Sequence, residues 1–189
     1  MAAGSWALFW PLFDESHWTW KLNVAIPAVY SVQLFVKGCI LADPNDPDVK
    51  TMSRSGKPIE LCYGPLLFTF VMLYCGLYQF RTPAGVYIMG ALGYGDGIAP
   101  LVGKRFPVLK YPTFSSFGDK AAFKTASGSL AFFVSTVIGI LCLRAGIGAP
   151  TEIDWEEIFR VAATATFAEA ATGKWDNPII PLAVLAAMR

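Results

Sequence analysis

The chain has 189 residues, of which 54% are hydrophobic and only 15% charged, with a formal net charge of +1 and a mean hydropathy of +0.47. That length fits one domain, the low charge is unlike a soluble globular protein, and the lack of a basic surplus argues against a nucleic-acid partner. The four cysteines (Cys39, Cys62, Cys75, Cys142) are scattered through mostly apolar stretches and His17 is the only histidine, which argues against zinc and for buried thiols.

The first residues, Met-Ala-Ala-Gly-Ser-Trp, have neither the basic start of a signal peptide nor the Arg/Ser-rich character of a transit peptide, so either the chain is mature and trimmed or its targeting information lies elsewhere. Residues 5–13 are apolar but too short to cross a bilayer, and their tryptophans suit an interfacial position or the stump of a longer helix. A crossing needs about 20 mainly apolar residues. On that rule spans are predicted at 21–41, 61–80, 82–102, 127–147, 156–173 and 177–189. The expectation is an all-α integral membrane protein, a bundle of five to six helices forming one domain over 1–189. The fifth span carries Glu156, Glu157, Arg160 and Glu169, which must reach an interface or the protein interior.

Two long polar loops remain, 43–60 and 103–127, separated by two spans that meet at Arg81-Thr82-Pro83. Two crossings return the chain to its starting side, so both loops share one face. The next two crossings bring Asp176-Asn177 back to it, and Asp96 and Glu169 lie in the halves of their spans nearest that face. Parity alone therefore gathers Arg54, Lys57, Asp96, Lys104, Arg105, Lys124, Glu169 and Asp176 at one interface. The Lys and Arg of the loops place that face on the cytoplasmic or stromal side by the positive-inside bias.

The sharpest constellation is Gly93-Tyr94-Gly95-Asp96-Gly97 followed by Gly103-Lys104-Arg105. A carboxylate among glycines exposes oxygens that Mg²⁺ takes while sharing substrate phosphates, and the basic pair can neutralise phosphate charge. The competing reading is close helix packing through small residues, with Asp96 paired to a cation. A P-loop is excluded, because five residues separate Gly97 from Gly103 and Arg105 stands where Ser or Thr belongs. Lys124-Thr125-Ala126-Ser127-Gly128-Ser129 opens a span, where free amides can hold phosphate or hydroxyls can simply cap. Glu169 with Asp176-Asn177 is a candidate metal ligand or base only through the shared face; Asp176-Asn177-Pro178 is otherwise an ordinary turn. Ser53-Arg54-Ser55-Gly56-Lys57-Pro58 has the composition of a phosphate loop, but a solvated connection is the better reading.

Taken together, these motifs resemble the phytol kinase branch of the polyprenol kinase family. The resemblance rests on Met52 to Leu61 with Tyr63-Gly64-Pro65-Leu66, on Gly95-Asp96-Gly97-Ile98-Ala99 with Val102 to Phe106, on Lys124-Thr125 with Gly128-Ser129-Leu130-Ala131, and on Glu169 with Asp176-Asn177 and Ile180-Pro181-Leu182. It implies phosphoryl transfer from a nucleoside triphosphate, commonly CTP, to an isoprenoid alcohol such as phytol, in a plastid membrane. Under it Asp96 and Asp176 serve Mg²⁺ or activate the hydroxyl, Lys104, Arg105 and Lys124 hold the triphosphate with Ser127, Arg54 and Lys57 nearby, and Glu169 supports them. Two departures stand out: the family's earlier span with an Arg-Lys…His segment precedes the point where this sequence starts, and Tyr30-Ser31 replaces a more usual Asn-Gly. The alternative is a catalytically inactive, kinase-like structural subunit of a larger membrane complex. A transporter is weaker, for want of broken spans in matching halves.

Overall fold

The hydrophobic residues outnumber what the chain's own interior can hold, and the fold turns the surplus outwards. In the computed structural model, which describes residues 4–13, 16, 18–53, 55–113, 123–149, 152–173 and 175–188, helix α1 (Ala25–Phe35) exposes Ile26, Val29 and Val32. Helix α7 (Ala126–Gly146) likewise exposes Leu130, Val134 and Ile138. Spacings of three and four residues put each set on one stripe of its helix. Such stripes are costly in water, at about 25 cal/mol per Å², and well matched to hydrocarbon. Among the described residues, three helical stretches are long and apolar enough to cross a membrane: Trp18–Leu41, Glu60–Tyr78 and Ala126–Gly146.

The first stretch is a 3₁₀ segment (Trp18–Val24), α1, and a π-helical turn (Val36–Leu41), ended by Ala42 in the left-handed region at φ 47°. The loop after it carries α2 (Pro47–Met52), whose N-cap Asp46 accepts from the Asp48 amide at 2.8 Å. The second stretch is α3 (Glu60–Tyr63) followed by α4 (Pro65–Tyr78), with Pro65 at the first turn where its missing N–H costs nothing. Ser31 Oγ donates to Thr69 Oγ1 at 2.8 Å and joins the two stretches inside the protein. Thr82 then caps α5 (Pro83–Met89) through the Gly85 amide, and α5 runs through a π-helical segment (Gly90–Gly95) into α6 (Asp96–Arg105).

The predicted span at 82–102 is helical throughout, yet it is not among the stretches apolar enough to cross. It forms the centre of the protein instead. Val86, Tyr87, Ile88, Met89, Ala91 and Leu92 are all buried, and α7 lies along them. A Cβ on Gly95 would sit 2.3 Å from Thr136 Oγ1, and one on Gly90 2.7 Å from Ile140. This is the close approach through small residues that membrane helices use.

The predicted spans at 156–173 and 177–189 are helices α8 (Trp155–Ala171) and α9 (Asp176–Ala187). They have 17 and 12 residues, so length and composition alone support three crossings where five to six were expected. Glu156 and Arg160 sit near the start of α8, exposed and 3.6 Å apart, whereas Glu169 near its end is buried.

Two expectations need correcting. The tryptophans of the first segment are not interfacial: Trp6 and Trp10 lie in the core, and Trp6 Nε1 donates to Asn23 O at 2.7 Å. Their short 3₁₀ helix (Gly4–Leu12) packs against the buried Gly90–Gly95 turn, which offers apolar surface that an interface would not. Nor is the fold purely helical. An antiparallel hairpin, β1 (Lys110–Pro112) and β2 (Phe123–Thr125), pairs Tyr111 with Lys124 in the second polar loop. Three-residue strands leave too short an alternation to read from sequence.

Candidate functional site

A cavity of about 980 Å³ opens where the ends of α6, α8 and the hairpin meet the starts of α4, α7 and α9. Asp96, Lys104, Lys110, Lys124, Glu169 and Asp176 line it. Tyr30, Met52, Pro65, Phe68, Leu92 and Phe123 line it as well. Charged and apolar side chains thus share one space.

Each charged residue owes its place to a local device. Asp96 is the first residue of α6, directly after the π-helical segment. A π segment inserts extra residues into the helix and rotates the turns after it relative to those before it. Within the glycine run, Gly95 meets Thr136 and Phe132, while Gly93 and Gly97 line the cavity. Close packing is thus seen at Gly95, while Gly93 and Gly97 stand at the cavity. Lys124 sits on β2, whose next residue, Thr125, is the N-cap of α7: its Oγ1 accepts from the Gly128 amide at 3.1 Å. Gly128 lies so close to Gly103 of α6 that a Cβ on it would be 3.5 Å from the Gly103 Cα. Asp176 begins α9, and its neighbour Asn177 ties that start to α4 by donating from Nδ2 to Gly64 O at 3.2 Å.

At the centre, Lys124 Nζ donates to Glu169 Oε1 at 2.6 Å and to the Glu169 carbonyl at 2.5 Å, and lies 4.0 Å from Asp176 Oδ2. Glu169 and Asp176 are each only 6% exposed, so this is a desolvated cluster of two carboxylates around one ammonium. A charge so placed persists only when paired. Glu169 Oε2 is buried and has no hydrogen-bond partner among the described residues. Such an orphaned acceptor is uncommon in a settled interior. Among the described residues no group of three or more His, Cys, Asp or Glu is close enough to hold a metal ion by itself. The donor set fits a cation that takes one or two carboxylates and completes its shell with water and phosphate.

The hairpin roofs the space. Tyr111 Oη and Ser129 Oγ are 2.5 Å apart, and burial pushes the Tyr111 phenol above its ordinary value. The other predicted residues fall outside. Ser127 is turned to the hairpin, donating to the Phe106 carbonyl and receiving the Val108 amide at 3.3 Å. Arg105 and Lys57 are exposed and do not line the cavity, and Arg54 lies outside the described residues. In the loop after α2, Ser55 donates its amide and hydroxyl to the Glu60 carboxylate at 2.9 and 2.7 Å.

Parity reasoning missed Lys110 and the apolar lining. Lys110 sits in the hairpin, and alternation over so short a strand gives no signal. Tyr30 and Met52 entered the sequence reading only through the family resemblance and Phe68 not at all; the packing of α1, α2 and α4 brings all three to one space.

Comparison with known proteins gives a consistent set of relatives. The chain is 31% identical over 186 residues to the probable chloroplastic phytol kinase of Zea mays, covering 93% of this chain and 59% of that protein. It is 28% identical over 193 residues to chloroplastic phytol kinase 1 of Arabidopsis thaliana, covering 95% and 60%. The probable chloroplastic phytol kinase 1 of Glycine max is 27% identical over 185 residues, covering 94% and 59%. The chain thus spans about three fifths of the length of these curated relatives. No family model matches the chain, and no solved structure does so significantly.

Proposed function

We propose that this chain, a sequence relative of the phytol kinases over nearly its whole length, carries the site of a membrane-embedded kinase that phosphorylates phytol or a similar isoprenoid alcohol. The observation that carries this reading is the mixed lining of one cavity: the Lys124–Glu169–Asp176 cluster shares it with the apolar side chains of Met52, Phe68 and Leu92 and with Tyr30. Phosphoryl transfer asks a protein mainly for positioning and charge neutralisation. A long-chain alcohol asks in addition for an apolar path that ends at the charged groups.

In this reading the alcohol's chain lies along the apolar side chains, with its hydroxyl at Asp96 and Asp176. A nucleoside triphosphate, with CTP the favoured donor, enters from the hairpin side, where Lys104 and Lys110 face the cavity and Arg105 and Lys57 add charge around it. Asp96 and Asp176 would hold Mg²⁺, which when bound neutralises phosphate charge. Asp176 also accepts the hydroxyl proton, and Lys124, held in register by Glu169, neutralises charge developing on the transferred group. The membrane would be a plastid one, as the names of the relatives suggest.

The test is a transfer assay on the purified protein with phytol, Mg²⁺ and γ-labelled CTP or ATP. Label is expected in phytyl phosphate, and Asp96→Asn should lower turnover by about 10²–10⁴-fold. A folded protein that transferred nothing with either donor or with farnesol or diacylglycerol would point instead to a kinase-like subunit without catalysis.

A further inference from the structure

Cys39 and Cys62 come from opposite ends of the first polar loop and meet. Cys39 belongs to the π-helical turn that closes the first membrane stretch, and Cys62 to α3, which opens the second. Both thiols are free, and their sulfurs are 3.0 Å apart. A disulfide bond is about 2.05 Å long, so closing it needs a movement of roughly 1 Å. The backbone leaves room for that approach at Gly38. A Cβ there would lie 2.8 Å from Cys62 Sγ and 3.1 Å from the Pro58 carbonyl, so any larger residue would prise α3 away.

The setting also gives access. Cys39 is exposed and Cys62 partly so, each within two residues of the end of its helical stretch, where the chain passes into the polar loop. Cys75, by contrast, is fully buried in α4, and Cys142 stands on α7. The segment between the pair carries α2, whose Met52 lines the cavity and receives the Tyr30 hydroxyl at 3.5 Å. Gly64 and Pro65, just after Cys62, line the same cavity.

We propose that Cys39 and Cys62 are a reversible dithiol–disulfide site that staples the first two membrane stretches at the edge of the cavity. The co-reactant is a small-molecule disulfide. One cysteine, as its thiolate, attacks a sulfur of that disulfide, breaking its S–S bond and releasing one thiol. The second cysteine sulfur then attacks the mixed disulfide, forming the Cys39–Cys62 bond and releasing the second thiol. Two electrons pass from the cysteine pair to the co-reactant, and the two cysteine protons end on the two released thiols. Cross-linking residues 23 apart in sequence restrains the segment that bears α2.

The experiment uses the full chain in detergent micelles, treated with oxidised glutathione or with dithiothreitol, then alkylated and mapped by mass spectrometry of its peptides. The expected result is one intramolecular 39–62 cross-link that dithiothreitol reverses. It should survive Cys142→Ser, and Cys39→Ser should abolish it, leaving Cys62 as a glutathione adduct. Proteolysis within residues 43–59 should slow several-fold on oxidation of the unmodified chain and not of Cys39→Ser. Separate glutathione adducts on Cys39 and Cys62, or cross-links only between chains, would overturn the site. A cross-link that left the proteolysis rate unchanged would overturn the staple. None of these readouts depends on kinase activity.

Discussion

Lys124 shows how far one residue's meaning depends on what surrounds it. In sequence it is a cation ahead of a span; in the fold it holds two buried carboxylates, one at 2.6 and one at 4.0 Å. Removing it strands those charges, and breaking a buried pair from one side costs about 3–5 kcal/mol. Lys124→Met should therefore lower the thermal midpoint sharply, measured by unfolding in detergent. Lys124→Met with Glu169→Leu should recover part of the loss, because Glu169 is no longer stranded while Asp176 still loses its ammonium. Failure of the double variant to recover would mean that the pair is not what holds this corner together. Asp46 gives a gentler case outside the spans. The Asp48 amide, with Lys37 adding to it, holds its carboxyl below the ordinary carboxylate range against the opposing effect of desolvation. A depressed carboxyl contributes stability above its unfolded value of about 3.9, and that contribution is lost as pH falls through the lower folded value. Protection of the α2 amides in hydrogen exchange, relative to their intrinsic rates at each pH, should accordingly fall as pH drops below about 4, and Asp46→Ala should show the low protection already at neutral pH.

At the scale of elements, the continuous run from α5 through the π-helical turn into α6 decides the site. It is buried from Gly85 to Gly93, it carries Asp96, and its glycines set how closely α7 can lie. Gly95→Ala should destabilise the protein by about 1–3 kcal/mol, since the new methyl would meet Thr136 and Phe132. Gly146→Ala, at the far end of α7, meets only Leu8 at 3.6 Å and should be neutral or stabilising by up to about 1 kcal/mol. Thermal unfolding of the two variants side by side checks the contrast. Equal effects would show that close approach of α7 to this turn is not what fixes the helix pair. The element was legible as a helix and its Asp as exceptional. Its burial was not, because a stretch rich in glycine and alanine reads alike against lipid or protein.

For the whole molecule, the parity of the crossings made a claim that tertiary structure bears on directly. Asp96, Lys104, Lys110, Lys124, Glu169 and Asp176, far apart in sequence, line one cavity. If the polar loops share a membrane face, cysteines placed at Lys57 and Lys110 in a cysteine-free background should react with an impermeant maleimide from the same side of sealed vesicles. One placed at Ala149, in the connection before α8, should react from the other. Labelling of 57 and 110 from opposite sides would break the parity and the shared face with it.

Sequence by itself determined the apolar, mainly helical character and the order of the helices, and it singled out Asp96, Lys124, Glu169 and Asp176 as residues worth watching. Those come from local hydropathy and residue chemistry, which need no knowledge of packing. Tertiary structure alone decided that Ser127 serves the segment before the hairpin, that Arg105 and Lys57 stand outside the cavity, that Trp6 and Trp10 are core, and that Tyr30, Met52 and Phe68 line the cavity. The physical reason is direction. Composition tells whether a residue tolerates lipid, and only the rotation of each helix about its axis tells whether it faces lipid, a neighbour or a shared space.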